Sequence, residues 1–264
     1  MGKDKKELSD AINSKRLLSY LLDKGKNHNA YKYYSTSEHI NQIITRQSLC
    51  LSRGTEWNDL LERTSFSTAV DGFIRFGKCF SFSLSENLAM WMLYGGMNKS
   101  GAMLNLTKTT MNSILAQTEF ELGYRNSDNA FTCVERVSIK DGCKISLIDV
   151  LYCDEKDGIY TIKRSDERVE GLKKLPGDKR IILKSYPWSY ENEVRLVLEI
   201  PKALVPKQTE CVCLPLNCTS NELNNRTYAA PNNNIKGLGF CQSKLKGTVD
   251  WDICRGCTKK IDTE

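Results

Sequence analysis

The stretch Lys184-Ser185-Tyr186-Pro187-Trp188-Ser189-Tyr190-Glu191-Asn192-Glu193-Val194-Arg195-Leu196-Val197-Leu198 decides how this chain is read. Its apolar second half predicts a strand over 194–200, with the backbone extended from Tyr190 onward. In an extended chain alternate residues share a face, so Glu191, Glu193 and Arg195 are expected on one side. Two carboxylates and a guanidinium leading into Leu196-Val197-Leu198 are costly to bury unless they are paired. The run therefore has two readings. One is a solvated edge or an internal Glu–Arg pair that serves structure; the other is a carboxylate pair that performs chemistry.

Working outward from it, residues 3–25 carry Leu8, Ile12, Leu17, Leu18, Leu21 and Leu22 in helical rhythm, and Lys24-Gly25-Lys26-Asn27 supplies a stop. This predicts a peripheral N-terminal helix within residues 1–28. Ala30-Tyr31-Lys32-Tyr33-Tyr34 reads as an aromatic strand, Ser35 to Ser37 as N-cap candidates for a helix over Glu38–Arg46, and Ser48–Ser52 as a second strand. Residues 55–75 are polar and mixed, a loop-and-helix region. Lys78-Cys79-Phe80-Ser81-Phe82-Ser83 looks like a buried strand. Ser85-Glu86-Asn87 opens a helix through Met90, Trp91 and Tyr94, Gly95-Gly96 breaks it, and Gly101–Leu106 returns as a strand. Further strands are expected at 145–152, 158–163 and 210–216, with a last one near 236–241. No internal repeat or Pro-rich linker divides the chain. Short strands mixed with helices predict one α+β domain over 1–264: an N-terminal helix (1–28), a core (29–200), and C-terminal strands with a cysteine-bearing tail (201–264).

Composition narrows the class. The chain has 264 residues, 40% hydrophobic and 27% charged, with a formal charge of +6. These values exclude collagen-like, coiled-coil and wholly disordered chains, and the mild positive surplus is compatible with an anionic ligand. The most apolar stretch, Leu88–Met97, is far short of the roughly 20 residues a spanning helix needs. No apolar segment follows the charged N-terminus, so a cytoplasmic protein without a membrane partner is expected. The 11 cysteines are an odd number, which suits reduced thiols used as small hydrophobes better than a disulfide framework. Cys254-Arg255-Gly256-Cys257, with Cys241, Cys218, Cys213 and Cys211 upstream, is the alternative, a zinc site. One C-x-x-C supplies only two ligands at trusted spacing, so no metal is expected.

Phosphate-binding, dinucleotide-binding, serine-hydrolase and zinc-protease motifs are absent from the sequence. His28 and His39 are the only histidines. Both stand among polar neighbours and are expected at the surface.

Against this background Tyr31-Lys32-Tyr33, Asn58-Asp59, Cys79-Phe80-Ser81, Met90-Trp91 with Tyr94 and Gly101, Val150 to Tyr152, and Trp188-x-x-Glu191-x-Glu193-x-Arg195 form an ordered series. The series resembles an uncharacterised bacterial family catalogued as a domain of unknown function, some of whose members are labelled abortive-infection (phage-resistance) proteins of the AbiGi type. The likeness spans about residues 31–200; Leu60 departs from it, standing where that family usually has Pro. Three elements are also similar in layout to ADP-ribosyltransferases: a basic or aromatic first strand (Tyr31-Lys32-Tyr33), a serine strand followed by a helix (Ser81-Phe82-Ser83, then Trp91), and a late Glu-x-Glu (Glu191-Asn192-Glu193). Lys32 stands where the best-known groups have Arg or His.

That resemblance implies an ADP-ribosyltransferase-like split β-sheet sandwich with flanking helices, with NAD as substrate. It also implies a macromolecular acceptor, protein or nucleic acid, and a partner protein in a defence system. Glu193, Glu191 and Ser81 are the implied catalytic residues. Tyr31, Lys32, Tyr33, Phe82, Ser83, Trp91 and Arg195 are the implied NAD contacts. The chemistry is coherent: loss of nicotinamide leaves an oxocarbenium-like ribose, which a carboxylate stabilises in a preorganised site. An aromatic face from Tyr33, Phe82 or Trp91 suits nicotinamide, and Lys32 suits the pyrophosphate. Trp91, Met90 and Tyr94 are also spaced as a helix's buried stripe, which is the reading for Met90. Trp91 suits core and pocket wall equally, and a strand serine such as Ser81 more commonly bonds its sheet neighbours. The competing function is a catalytically silent module that senses a phage component or nucleic acid through its lysines and arginines. A nuclease would need Asp154-Glu155 or Asp250 and Asp252 arranged around a metal.

Overall fold

The computed structural model describes residues 4–54, 72–83, 87–94, 100–126, 130–164, 167–174, 182–230 and 243–244. Two helices open the chain, α1 (Asp4–Asn13) and α2 (Leu17–Lys26). Then come β1 (Ala30–Thr36), α3 (Ser37–Arg46), β2 (Ser48–Ser52), β3 (Phe73–Ser81), α4 (Leu88–Tyr94), β4 (Gly101–Thr107) and α5 (Lys108–Leu115). The second half is strand-rich: β5 (Glu119–Arg125), β6 (Phe131–Ser138), β7 (Lys144–Asp149), β8 (Leu151–Lys156), β9 (Ile159–Arg164), β10 (Glu167–Leu172) and β11 (Leu183–Ser185). A 3-10 turn over Tyr186–Glu191 leads to β12 (Glu193–Pro201), then β13 (Cys211–Pro215), α6 (Ser220–Asn225), β14 (Thr227–Ala229) and β15 (Ser243–Lys244).

Among the described residues the strands form two sheets, of eleven and four strands, in a mixed α+β arrangement dominated by antiparallel pairing. β3 is the pivot of the large sheet. One edge of it pairs with β12 over its full length, from Glu193↔Ser81 to Pro201↔Phe73. Its other edge meets two different strands, β1 at Lys32↔Ser81 and β2 at Ser52↔Gly77. The sheet therefore forks: β1 continues into β4 and β14, while β2 continues into β13, β5 and β6. The small sheet runs β10-β9-β8-β11, with β11 parallel to β8.

β12 explains why the apolar run could not be solvated. Val194, Leu196, Leu198 and Ile200 enter the main core with Phe76, Phe80, Leu104 and Leu122. Val197, on the opposite face, enters a second core with Leu8, Leu21, Ile148 and Leu151. A strand covered on both sides carries apolar residues in succession instead of alternation.

Several expectations are corrected. The N-terminal helix is two helices, broken at Lys15, whose φ of 57° is left-handed. Nor is it peripheral: Leu8 and Leu21 are fully buried, and the Leu8 amide donates to Glu167 Oε2 at 3.1 Å. Gly25 does not stop α2, which runs to Lys26; a Cβ there would collide with the carbonyl of Leu147 on β7. The strand expected at 145–152 is two strands in different sheets, β7 and β8, parted at Val150. α5, β5, β6, β10, β11 and α6 are not announced by the sequence pattern. The loop-and-helix region expected over 55–75 is strand at its end, since β3 begins at Phe73. Residues 55–71 with Asn58-Asp59, the strand expected near 236–241, Cys241, Asp250, Asp252, Cys254 and Cys257 lie outside the described residues.

Candidate functional site

A cleft of about 370 Å³ lies at the fork, within the range of small-molecule sites. β1 supplies Lys32, Tyr33, Tyr34 and Ser35, β2 supplies Ser52, and Gly77 to Phe80 of β3 form the wall between them. Met90, Leu93 and Tyr94 of α4 close one side, and Lys184, Trp188, Glu191 and Glu193 form the carboxylate-bearing end.

The carboxylates are not placed as simple alternation predicted. Residues 186–191 form a 3-10 turn, and Asn192 adopts a left-handed conformation (φ 45°, ψ 59°) before the strand begins at Glu193. Asn tolerates that region better than most residues. Glu191 therefore belongs to the turn and Glu193 to the strand, yet both reach one ammonium. Lys184 Nζ donates to Glu191 Oε2 at 2.5 Å and to Glu193 Oε2 at 2.8 Å. Arg195 Nε donates to the other Glu193 oxygen at 2.5 Å, and Tyr94 OH donates to Glu191 Oε1 at 2.5 Å. The Glu193 amide donates to Tyr152 OH at 2.8 Å, and Lys184 lies 5.0 Å over the Trp188 ring.

Their surroundings split the pair electrically. Burial, then the neighbouring Glu193 charge, pushes Glu191 up to about 7 against the pull of Lys184 and Tyr94. Burial also works against the charge on Glu193, but Arg195 and Lys184 outweigh it and hold that carboxyl well below the usual range. Near neutral pH one carboxylate is fixed as an anion and its neighbour is poised to take or release a proton. Such a division of labour is a general route to acid–base chemistry.

The cleft is also cationic and aromatic. Lys78 Nζ lies 4.2 Å over the Tyr33 ring and donates to the Cys50 carbonyl at 3.0 Å. Lys32 is nearly closed to solvent and lines the same cleft.

Lys32, Tyr33, Glu191 and Glu193 are thus brought together, with Ser81 in register between Lys32 and Glu193, while the other expected site residues do not line the cleft. Tyr31 is fully buried in the main core, and its hydroxyl donates to the Gly25 carbonyl at 2.8 Å. Ser81 is buried in β3, where its hydroxyl accepts from the Ser83 amide at 3.5 Å. Phe82 stacks on His28 at 3.9 Å, nearly parallel to it. Trp91 packs edge-on against Tyr34 at 5.1 Å in a small core with Met90 and Met103. Arg195 is fully closed to solvent and is paired with Glu193. Lys184, Trp188, Tyr94 and Lys78 also line the cleft; Trp188 and Tyr94 stand in the motif series without an assigned role, and Lys184 and Lys78 lie outside it. Their signal was faint, because each is unremarkable locally and gains meaning from neighbours distant in sequence.

Neither histidine is a surface residue. His28 Nε2 lies 2.6 Å from Asp149 Oδ1, and Arg164 Nε donates to Asp149 Oδ2 at 2.5 Å. His39 is half-buried, and burial followed by the Lys78 charge lowers it to about 4. Asp154 and Glu155 are exposed on β8, and no group of metal-binding side chains occurs among the described residues. No helix among those residues is long and apolar enough to cross a membrane. No known protein family, curated protein or solved structure matches the chain.

Proposed function

We propose that this chain cleaves the bond between nicotinamide and ribose in NAD and passes ADP-ribose to a macromolecule or to water. The observation that carries this reading is the pair Glu191 and Glu193, joined by Lys184 but pushed to opposite proton affinities at one end of the cleft. Nicotinamide leaves with the bonding electron pair, and positive charge develops on the ribose. The permanent anion of Glu193 opposes that charge within a site largely withdrawn from water. An acceptor hydroxyl or water then attacks the ribose carbon and gives its proton to Glu191, whose affinity near neutrality suits a general base. Lys32 and Lys78, which line the same cleft, suit the pyrophosphate, and Tyr33 or Trp188 offers a ring for nicotinamide. The sheet that forks around the cleft supports an ADP-ribosyltransferase-like split sandwich. A role in defence against phage, with an unidentified partner protein, is supported by the resemblance of the motif series.

A second reading has its own observation. Both Glu193 oxygens are already engaged, by Lys184 and Arg195. This favours a cleft that binds a phosphate-bearing ligand, such as a nucleotide or nucleic acid, without breaking a bond.

One experiment separates them: incubation with NAD carrying a labelled adenosine half, alone and with bacterial lysate, following free nicotinamide and labelled macromolecules. Label on protein or nucleic acid is the outcome expected for transfer, and free ADP-ribose alone for hydrolysis. Saturable NAD binding with no nicotinamide released under either condition would end the enzymatic reading.

A further inference from the structure

On the other arm of the fork, away from the carboxylates, three cysteines meet. Cys50 on β2 and Cys213 on β13 are direct register partners, and Cys211 lies two residues from Cys213 on the same face. Residues opposite each other in an antiparallel pair have Cα atoms roughly 4.5–5.5 Å apart, inside the roughly 4.4–6.8 Å that disulfides span. The Cys50 and Cys213 sulfurs are already 2.6 Å apart. Arg125, at the end of the neighbouring β5, donates to Gln42 Oε1 at 3.3 Å and directs its positive charge at the trio.

We propose that Cys50 is a peroxide-reactive thiol resolved by Cys213, with Cys211 as the alternative partner, so that a peroxide closes a reversible bond between β2 and β13. In the first step the Cys50 thiolate attacks one peroxide oxygen and the O–O bond breaks. Hydroxide departs and takes up a proton as water, leaving Cys50 as a sulfenic acid. In the second step the Cys213 sulfur attacks the Cys50 sulfur and the S–O bond breaks. Hydroxide leaves with the Cys213 proton as a second water. Two thiols lose two electrons in total, and the peroxide gains them.

The surroundings favour this site over the other thiols. Hydrogen bonds from Cys211 and Cys213, then the Arg125 charge, hold Cys50 far below the ordinary thiol range despite burial, while its two neighbours keep their protons. Thiolate is the attacking form. Cys143 is the opposite case, a thiol that burial pushes up to about 11. Cys133 is exposed on β6 and gives an internal comparison for access alone.

The test takes the fully reduced, full-length chain through hydrogen peroxide treatment at about pH 7, where an ordinary thiol is mostly protonated. The reaction is quenched in acid, and the protein is unfolded, alkylated and mapped by mass spectrometry. The expected product is a link between the Cys50 peptide and that of Cys213 or Cys211, reversible by dithiothreitol, with Cys133 and Cys143 still alkylatable. Cys50→Ser should slow the first thiol loss by about tenfold or more. Cys213→Ser should leave a sulfenic acid on Cys50 that dimedone traps, or move the link to Cys211. Oxidation of Cys133 ahead of Cys50, or a Cys50 that stays a free thiol in excess peroxide, would overturn the proposal. The linked-peptide readout uses the natural sequence, so a substitution that fails to fold cannot conceal the answer.

Discussion

Arg195 Nε donates to Glu193 Oε1 across 2.5 Å, and both side chains are closed to solvent on the same face of β12. This pairing makes Glu193 an anion by construction, whatever else it does. Glu193→Gln keeps the shape but removes one side of a buried charge pair. Loss of a buried partner typically costs roughly 3–5 kcal/mol. Chemical denaturation should show a destabilisation of that order. If the NAD reading holds, the folded fraction should also lose about 10²-fold in nicotinamide release. A variant that is as stable and as active as the parent would remove both roles.

Glu191 yields a pH prediction whose sign differs from that of most carboxylates. Its proton affinity rises from the ordinary 4.5 of a glutamate to about 7 in the folded chain, chiefly through burial. Between those values the folded chain keeps a proton that the unfolded chain has released. Its contribution is therefore full below about pH 4.5, shrinks as pH rises to about 7, and is level above that. The stability gap between the parent and Glu191→Gln should change across this window and be flat above it. Parallel pH dependences for the two proteins in urea melts would contradict the shift.

The same residue predicts an activity profile. As a base, Glu191 must be ionised, so transfer should climb with pH through about 7 and then level off. Glu191→Gln should abolish that limb and reduce transfer by roughly 10²-fold, sparing nicotinamide release more than transfer. An unchanged limb in the variant would assign the base elsewhere.

Asp149 anchors a second buried network, shared by His28 Nε2 at 2.6 Å and Arg164, which in turn reaches Glu167 at 2.9 Å. Glu167 accepts from Tyr20 OH of α2 and from the Leu8 amide of α1. Asp149→Asn leaves Arg164 short of a partner in a dry site and should cost roughly 3 kcal/mol. Hydrogen exchange should speed up in both α1 and α2, because their attachment passes through this network. Faster exchange confined to β7 would show that the helices are held independently.

Gly25→Ala tests the seating of α2 on β7. In an isolated helix the change is favourable by roughly 1 kcal/mol. Here the added methyl meets the backbone carbonyl of Leu147, which cannot rotate away as a side chain would. A net loss of roughly 1–3 kcal/mol is expected, as for other overpacked contacts. A higher melting temperature would mean that the helix shifts freely.

The amino-acid sequence alone determined the features that neighbouring residues fix. α3 begins where Thr36 Oγ1 accepts from the His39 amide at 3.3 Å and ends at Gln47 with φ 49°, close to the expected span. β1, β2 and the heart of β12 follow from aromatic and apolar patterning, since strand preference and burial agree over a few residues. The Glu191, Glu193 and Arg195 cluster was legible as a set of charges that must be paired if buried.

The Glu193–Arg195 pair was among the expectations, but the partners that complete the set around Glu191 were decided only by tertiary structure. Alternation failed at Asn192, whose left-handed turn lets Glu191 reach Tyr94, 97 positions away. His28 meets Asp149 across 121 positions, and Cys50 meets Cys213 across 163. Tyr31 and Phe82 look as suitable for a cleft as Tyr33, yet one enters the main core and the other stacks on His28. Local pattern sets which groups are expensive to bury; the fork at β3 sets which of them face one another, because proximity arises from strand register over the whole sheet and not from spacing along the chain.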